Sequence, residues 1–329
     1  MAHIKFNSDF SAGLANLTVC GESPFSIFEY KAGVFPEETE CEASILAFSC
    51  DVRVINEAKE AAKEFGRVEV KSGDKTLFTL TTAGREGDTS ITVHGIKDRF
   101  SLYEAVEKER MAVITDLVGK GVLFETFDGC VISPFCEIAE GTLIRPNTRI
   151  TGKTKIGKNC VIGPCSMIDG SEIGDDCVIN ATEVCSAVFE NDVRIGPFSR
   201  VRPGSLLKSG VRIGDFVEIK NSVVGRDTHA SHLTYIGDSD VGERVNFGCG
   251  TVTSNYDGKN KYRTVIGNDV FVGCNTNLVA PVSVGDGAFI AAGSTIVSDV
   301  PDKSLAIARE RQTVKEGWAE ERRKKGLLK

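Results

Sequence analysis

Long apolar runs, paired cysteine motifs and abundant histidine are all missing from this sequence. No stretch approaches the about 18 consecutive apolar residues of a membrane-spanning helix. The polar start MAHIKFNSDF also lacks the apolar segment of a signal peptide. The eleven cysteines include no Cys-x-x-Cys pair, so they fit reduced thiols better than a disulfide framework or a zinc module. We therefore expect a cytoplasmic protein without membrane contact.

An excess of positive charge is also absent. Lys and Arg number 39 against 46 Asp and Glu, a formal net charge of −7, which disfavours a broad nucleic-acid-binding surface. A local basic pocket for a phosphorylated ligand is compatible with this balance. The 329 residues, 41% of them hydrophobic, suffice for about two domains or for one domain and a repeat array. We expect a small-molecule partner and no nucleic acid.

A six-residue period organises the second half of the chain. Its aliphatic anchors are Ile132, Ile138, Ile144, Ile150, Ile156, Ile162, Ile168, Ile195, Val201, Leu207, Ile213, Ile219, Ile266, Val272, Leu278, Val284, Ile290 and Ile296. Small residues, Cys136 and Cys160 among them, follow most anchors by four places, where we expect burial. Neither a helix nor a simple strand has this period. Hexapeptide repeats of this kind build a parallel β-helix of about 18 residues a coil, giving roughly nine coils up to Val300.

The segments outside the repeats predict two further units. Before the repeats, VINEAKEAAKEFG predicts a helix and RVEVKS, TLFTLTT and TSITVHG predict strands, while FSLYEAVEKERMAVITDLVGKG predicts a connecting helix with one apolar face from Phe100 to Val118. After Pro301 an extended arm and a charged, helical tail follow. We therefore expect an α/β domain over 1–95, a helical connector over 96–130, the β-helix over 131–300 and a C-terminal arm over 301–329.

One break in the repeats and one histidine pair stand out as candidates for function. The polar segment TSNYDGKNKYRT interrupts the hexads after Val252, and loops on rigid scaffolds often carry function. The pair is His229 and His232, which are either two surface histidines or include a general base. The hexad frame also directs a set of polar residues outward, and with Lys261 in the loop they form a plausible cradle for a sugar phosphate: Arg202, Lys220, Tyr235 and Asn246.

Residues 195–318 resemble a known family closely. The strings RVRPGSLL, IGDFVEIKNS, SHLTYIGDSDVGERVNFGCGTVTSNYDGKNKYRTVIG, LVAPVSVGDGAFIAAGSTI and LAIARERQTVKEGW are similar to the acetyltransferase domain of the bacterial bifunctional N-acetylglucosamine-1-phosphate uridyltransferase/glucosamine-1-phosphate N-acetyltransferase family. NYDGKNK is especially specific, because a generic hexapeptide repeat has no reason to contain it. The resemblance implies a left-handed parallel β-helix and a homotrimer with active sites between subunits.

The resemblance also implies roles for individual residues. It makes His232 the catalytic base and gives Arg202, Lys220, Tyr235, Asn246 and Lys261 to the sugar phosphate, with Glu218 and Asn221 beside the acceptor pocket. The residues it places at the acetyl-CoA are Cys249, Asn255, Tyr256, Cys274, Ala292 and Arg309. Two of these depart from the family, since Cys249 stands where it commonly has Ala and Cys274 where it has Ser.

The front of the chain departs from the family much more. The family begins with a nucleotidyltransferase domain that carries an L-A-A-G-x-G-T-R-M phosphate loop, and no such loop occurs here. The segment GIKDRFSLYEA resembles the end of that domain, but Lys97 replaces the family's magnesium-binding Asn. We therefore expect residues 1–95 to be a shortened or replaced domain without uridyltransferase activity.

The function implied by the resemblance is transfer of an acetyl group from acetyl-CoA to glucosamine 1-phosphate, with no metal required. This reaction belongs to UDP-N-acetylglucosamine and cell-wall precursor synthesis. Two alternatives stay open at this stage: an acetyltransferase for another amino sugar, and a non-catalytic trimeric scaffold. A zinc enzyme on the same fold would need about three His ligands. The coil supplies only two.

Overall fold

The structure is a computed structural model in which two hydrophobic cores form. One core lies in an N-terminal unit and the other runs along a solenoid. The structure describes residues 4–6, 19, 21–33, 39–50, 52–72, 75–82, 86–92 and 99–329. Lys97, where the sequence departs from the family's metal-binding residue, lies outside these residues.

A mixed five-stranded sheet with helices beside it forms the N-terminal unit. Its strands are β1 (Ile4–Phe6), β2 (Thr39–Ala43), β3 (Arg67–Ser72), β4 (Lys75–Thr82) and β5 (Asp88–Thr92), in the spatial order β1-β2-β4-β3-β5. The helices are α1 (Pro24–Ala32), a 3₁₀ turn (Ile45–Ser49) and α2 (Val52–Phe65). Helix α2 buries Ile55, Ala58 and Ala62, which share one face at helical spacing. The helix and the three strands predicted here are all present, whereas the proposed domain boundaries stay a prediction.

Helix α3 (Arg99–Gly119) connects the two cores. Its Leu102 packs on the N-terminal core, whereas Ile114 and Leu117 belong to the solenoid core. The prediction of one apolar face from Phe100 to Val118 is therefore wrong at both ends, because these two side chains are exposed. Different stretches of the helix pack in different directions, which a single stripe along the sequence does not describe.

Three parallel sheets form the faces of the solenoid, and the chain passes from face 1 to face 2 to face 3 in each coil. Face 1 contains β6 (Leu123–Phe124), β9 (Leu143–Ile144), β12 (Val161–Ile162), β15 (Val178–Ile179), β18 (Arg194–Ile195), β21 (Arg212–Asp215), β24 (His229–His232), β27 (Asn246–Phe247), β30 (Phe271–Val272), β33 (Phe289–Ile290) and β35 (Leu305–Ala306). Face 2 contains β7 (Val131–Ile132), β10 (Arg149–Thr151), β13 (Met167–Asp169), β16 (Glu183–Cys185), β19 (Arg200–Val201), β22 (Glu218–Lys220), β25 (Tyr235–Gly237), β28 (Val252–Ser254), β31 (Asn277–Val279) and β34 (Thr295–Ile296). Face 3 contains β8 (Glu137–Ile138), β11 (Lys155–Ile156), β14 (Glu172–Ile173), β17 (Val188–Phe189), β20 (Leu206–Leu207), β23 (Val223–Val224), β26 (Ser239–Val241), β29 (Thr264–Ile266) and β32 (Val282–Val284).

The predicted left-handed parallel β-helix is confirmed. Every predicted anchor is buried, and the anchors stack from coil to coil, as Ile132, Ile150 and Ile168 do on face 2. Coils shorten wherever a hexad loses a residue, and two such hexads lie between Ile168 and Val184, which therefore pair across 16 positions. The period of six hides anchors in such stretches, and the structure adds Ile173, Ile179, Val184 and Phe189 to the core.

Two segments leave the coil. A loop over 255–263 projects between β28 and β29 and closes on itself through an antiparallel bridge between Tyr256 and Lys261. After β35 the chain runs as an exposed arm to α4 (Trp318–Lys324), which buries none of its residues. None of the helices in the described ranges is long and apolar enough to cross a membrane.

Candidate active site

Two corners of the coil carry the polar residues singled out by the sequence. We call the turn from face 1 to face 2 the first corner and the turn from face 2 to face 3 the second corner. Residues that occupy the same place in successive coils form a column, spaced about 4.8 Å apart as neighbouring strands are. The short strands give each side chain in a column a fixed outward direction, so spacing along the chain becomes proximity along the solenoid.

The first corner contains a hydrogen-bonded histidine and aspartate. His232 ends β24 and Asp215 ends β21, and the two residues are paired in register. The Nδ1 atom of His232 lies 2.8 Å from Oδ1 of Asp215. In a neutral imidazole, a proton on Nδ1 donated to the carboxylate leaves Nε2 free to accept another. The hydrogen bond from His232 holds the pKa of Asp215 below its usual value, so the carboxylate stays charged.

The second corner contains a cluster of cations. Lys220 ends β22, Arg202 follows β19 in the same column, and Lys261 reaches the cluster from the loop. Lys220 and Lys261 are close enough to share a hydrogen bond, which lowers the pKa of Lys261 and raises that of Lys220. Glu218 accepts a hydrogen bond of 3.0 Å from Nη1 of Arg202. Three basic groups facing one patch supply the positive charge and the donors that a dianion such as a phosphate monoester requires.

Face 2 joins these two corners and also carries Tyr235. This residue begins β25 and lies in register with Glu218 of the coil before. The Tyr235 hydroxyl lies directly over Gly237, so close that a Cβ at residue 237 would overlap the hydroxyl oxygen. The Tyr235 ring therefore leans toward the second corner. His232 therefore borders one edge of face 2 and Lys220 the other, with Tyr235 between them.

Asn246 lies apart from this cluster. It begins β27 on face 1, in register with His229, and its side chain points outward because the next residue, Phe247, is buried. The first corner and all of face 2 separate it from Lys220. Within one chain, Asn246 and the cations therefore do not meet.

The residues expected at acetyl-CoA also divide into two groups. Cys249, Cys274 and Ala292 continue the first-corner column above His232, as the register of face 1 requires. The aliphatic part of Arg309 approaches Gly293, so the arm reaches the end of the same column. Asn255 and Tyr256, in contrast, lie in the loop at the second corner, where the Tyr256 hydroxyl donates to the carbonyl of Gly258 at 2.6 Å.

Sequence reasoning missed two carboxylates that organise these corners. Asp215 is the partner of His232, and Asp238 accepts hydrogen bonds at the second corner. Asp215 precedes His232 by 17 positions, and Asp238 follows Asn221 by 17 positions. Seventeen residues is the local coil length. A search at that spacing would have found them. As for metals, no group of His, Cys, Asp and Glu residues in the described part of the chain could hold an ion.

Comparisons with known proteins agree with this architecture. Residues 163–254 match the family model described as GlmU-like, C-terminal hexapeptide, and residues 263–298 match the model described as bacterial transferase hexapeptide (six repeats). The bifunctional protein GlmU of Halalkalibacterium halodurans is 41% identical over 298 residues, covering 89% of this chain and 65% of the relative. That of Exiguobacterium sp. is 50% identical over 268 residues, covering 79% of this chain and 59% of the relative. The chain spans about two thirds or less of these relatives' length.

A solved structure, the UDP-N-acetylglucosamine acyltransferase of Francisella novicida, aligns at 19% identity with a TM-score of 0.34, over 56% of this chain and 67% of that one. The repeats and the sequence relatives define a protein of the bacterial hexapeptide-repeat class. More specifically, the chain belongs to the family of the bifunctional protein GlmU, whose C-terminal hexapeptide part it shares.

Proposed function

We propose that the chain transfers the acetyl group of acetyl-CoA to the amine of glucosamine 1-phosphate. The observation that carries this proposal is the placement of the His232–Asp215 pair and the three cations at opposite edges of one face. A base for the amine and a cradle for the phosphate are the two groups that an amino-sugar phosphate requires. The family relationship indicates that acetyl-CoA is the acyl donor.

The reaction begins with proton removal, because a protonated amine has no lone pair for attack. Nε2 of His232 accepts a proton from the nitrogen while Asp215 fixes the ring orientation. The nitrogen attacks the thioester carbonyl, and the backbone N–H of Cys249 is our candidate donor to the oxyanion. As the carbon–sulfur bond breaks, the imidazolium gives its proton to the departing coenzyme A thiolate. The acetylated nitrogen then loses its surplus proton to the neutral imidazole and from there to water, so the overall reaction of the ammonium form releases one proton. No covalent acetyl-enzyme forms.

We further propose that the working unit is a homotrimer. Exposed apolar residues line the first corner beside the catalytic pair: Phe198 is 63%, Phe216 55% and Leu233 57% exposed. The rings of Phe198 and Phe216 stack with centroids 5.5 Å apart. An apolar strip of this kind favours contact with another subunit. Such a contact would also bring Asn246 of one chain toward the cations of another.

Free-thiol release from acetyl-CoA in the presence of glucosamine 1-phosphate tests the proposal. We expect turnover by the purified chain and a fall in kcat of about 10²- to 10⁴-fold for His232→Ala. His229→Ala is the matched control, because His229 lies on the same strand but faces Asn246 rather than Asp215. Glucosamine and galactosamine 1-phosphate, tested in parallel, report how far the phosphate and the ring each determine the choice of acceptor.

Two results would contradict the assignment. Binding of acetyl-CoA without thiol release would favour the non-catalytic scaffold. An unchanged kcat in folded His232→Ala would show that His232 is not the general base.

Uridyl transfer from UTP to N-acetylglucosamine 1-phosphate should be undetectable with magnesium present, since the Gly-rich phosphate loop is missing from the sequence. Pyrophosphate release above that of a heat-killed sample would refute this part.

A further inference from the structure

A buried carboxylate at the second corner connects the two halves of the proposed site. The side chain of Asp238 is only 8% exposed. Nδ2 of Asn221 donates to its Oδ1 at 2.6 Å, and Nδ2 of Asn255 donates to its Oδ2. Nζ of Lys220 lies 3.5 Å from Oδ2. Three donors from the two coils that flank Asp238, Lys220 and Asn221 on one side and Asn255 on the other, therefore converge on one carboxylate.

The charge state of Asp238 follows from these contacts. Burial by itself would raise the pKa of this carboxyl. The hydrogen bonds from Asn221 and Asn255 and the charge of Lys220 outweigh burial, so the pKa of Asp238 lies below its usual value. The residue is a carboxylate at neutral pH and attracts all three donors.

The backbone of Asp238 also fixes the base of the loop over 255–263. Its carbonyl accepts from the N–H of Thr264 at 3.2 Å, just after the loop ends, while its side chain holds Asn255, where the loop begins. The N–H of Asp238 donates to the carbonyl of Lys220 at 2.9 Å. One residue thus contacts the start and the end of the loop as well as the cation of the preceding coil.

We propose that Asp238 is a positioning residue that ties the phosphate-binding Lys220 and the acetyl-CoA loop at Asn255 to one buried carboxylate, so that both substrates depend on it. This proposal rests on the proposed function, because Lys220 holds a phosphate and Asn255 lies at acetyl-CoA only if the chain carries out that acetyl transfer. Asp238 lies on the far side of face 2 from His232, so it should act on binding and leave proton transfer intact.

Asp238→Asn is the informative variant. Residue 238 has a φ of 47°, a left-handed conformation that Asp and Asn both tolerate, so the exchange preserves the backbone. An amide has one acceptor oxygen where the carboxylate has two, so either Asn221 or Asn255 loses its bond. The matched control is Asp269→Asn, because Asp269 has a φ of 57° and binds Arg244 at another corner, away from the site.

Steady-state kinetics give the first test. We expect the KM values for glucosamine 1-phosphate and acetyl-CoA each to rise about tenfold in Asp238→Asn, as the loss of a charged hydrogen bond typically causes. The kcat should stay within about threefold of wild type, and Asp269→Asn should change neither constant. Unchanged KM values, or a fall confined to kcat, would overturn the proposal.

Amide hydrogen exchange gives a second test that needs no activity. In Asp238→Asn we expect exchange within 255–263 to become about tenfold faster, because the loop loses its anchor. Asp269→Asn should leave that loop unchanged. If the wild-type chain does not acetylate glucosamine 1-phosphate, the proposed function fails, but faster loop exchange would still support the anchoring role. Equal exchange in all three proteins would refute it.

Discussion

Nδ1 of His232 and Oδ1 of Asp215 lie 2.8 Å apart on successive coils, at the end of two strands paired in register. Both side chains are partly open to solvent, 59% exposed for His232 and 39% for Asp215. Water screens charge at such exposure, so the hydrogen bond that orients the ring should matter more than the negative charge. The pair therefore differs from a buried catalytic dyad.

The Asp215 variants test this distinction. Asp215→Ala removes the acceptor and should lower kcat about tenfold to a hundredfold, a share of what a positioned general base contributes. Asp215→Asn keeps an acceptor oxygen and should stay within about threefold of wild type. Thiol release under saturating substrates measures both. A loss in Asp215→Asn as large as that in Asp215→Ala would show that charge rather than orientation is what His232 needs.

The pH dependence of phosphate binding tests the contact between Lys220 and Lys261. The neighbouring Lys220 lowers the pKa of Lys261 from its ordinary 10.5, so Lys261 loses its charge earlier as the pH rises. A bound dianion favours the charged form, and affinity should therefore weaken as the pH rises through that lowered value. Calorimetric titration with glucosamine 1-phosphate between about pH 7.5 and pH 10 measures the effect.

Lys261→Gln is the control for this prediction. Without the titrating amine of Lys261, binding should be weaker at about pH 7.5 and should fall less steeply with rising pH than in the wild-type chain. A slope equal to that of the wild-type chain would assign the pH dependence to another group.

The hexad period was enough to predict the parallel β-helix, whereas its handedness came from the family resemblance, and the reason is visible in single residues. Ile150 is buried between Ile132 and Ile168, and each occupies the position that the repeat assigns to it. A stacked core needs only an aliphatic residue at each step, so the pattern alone identifies it. The order of strands in the N-terminal sheet has no such periodic signal, because β4 pairs with β3 in a local hairpin but with β2 only across a long stretch of intervening chain.

The site was predicted less completely for a geometric reason. Resemblance supplied His232 and Lys220, but the partners of these residues lie one coil away. Asp215 and Asp238 become neighbours of the site only when the local coil has 17 residues rather than 18, because one hexad per coil is shortened. Asn246 could not be placed from the sequence either, because its distance from the cations depends on which face of the coil it occupies.

Two threonines at equivalent places in neighbouring hexads should respond oppositely to replacement by valine. Both side chains are fully buried. Among the described residues the Thr148 hydroxyl has no hydrogen-bond partner, whereas that of Thr154 donates to the carbonyl of Thr151 at 2.6 Å. Thr148→Val should therefore raise the free energy of unfolding by about 1 kcal/mol, and Thr154→Val should lower it by about as much. Urea unfolding midpoints measure the difference, and the same sign for both variants would contradict the argument.

Subunit mixing tests whether Asn246 and Lys220 belong to one composite site. In a single chain they lie on face 1 and at the second corner, so a site containing both requires two subunits. Lys220→Ala and Asn246→Ala should each lower acetyl transfer strongly, because each removes a group that holds the sugar phosphate. In a randomly mixed trimer, a site has both native residues only when the subunit that supplies Lys220 is an Asn246→Ala chain and the subunit that supplies Asn246 is a Lys220→Ala chain. An equal mixture should therefore regain about a quarter of wild-type activity once subunits exchange, by the closed symmetry of such assemblies.

Activity at the level of the single variants, with exchange demonstrated by mass, would place the site within one chain. Full activity of Asn246→Ala alone would remove Asn246 from the site.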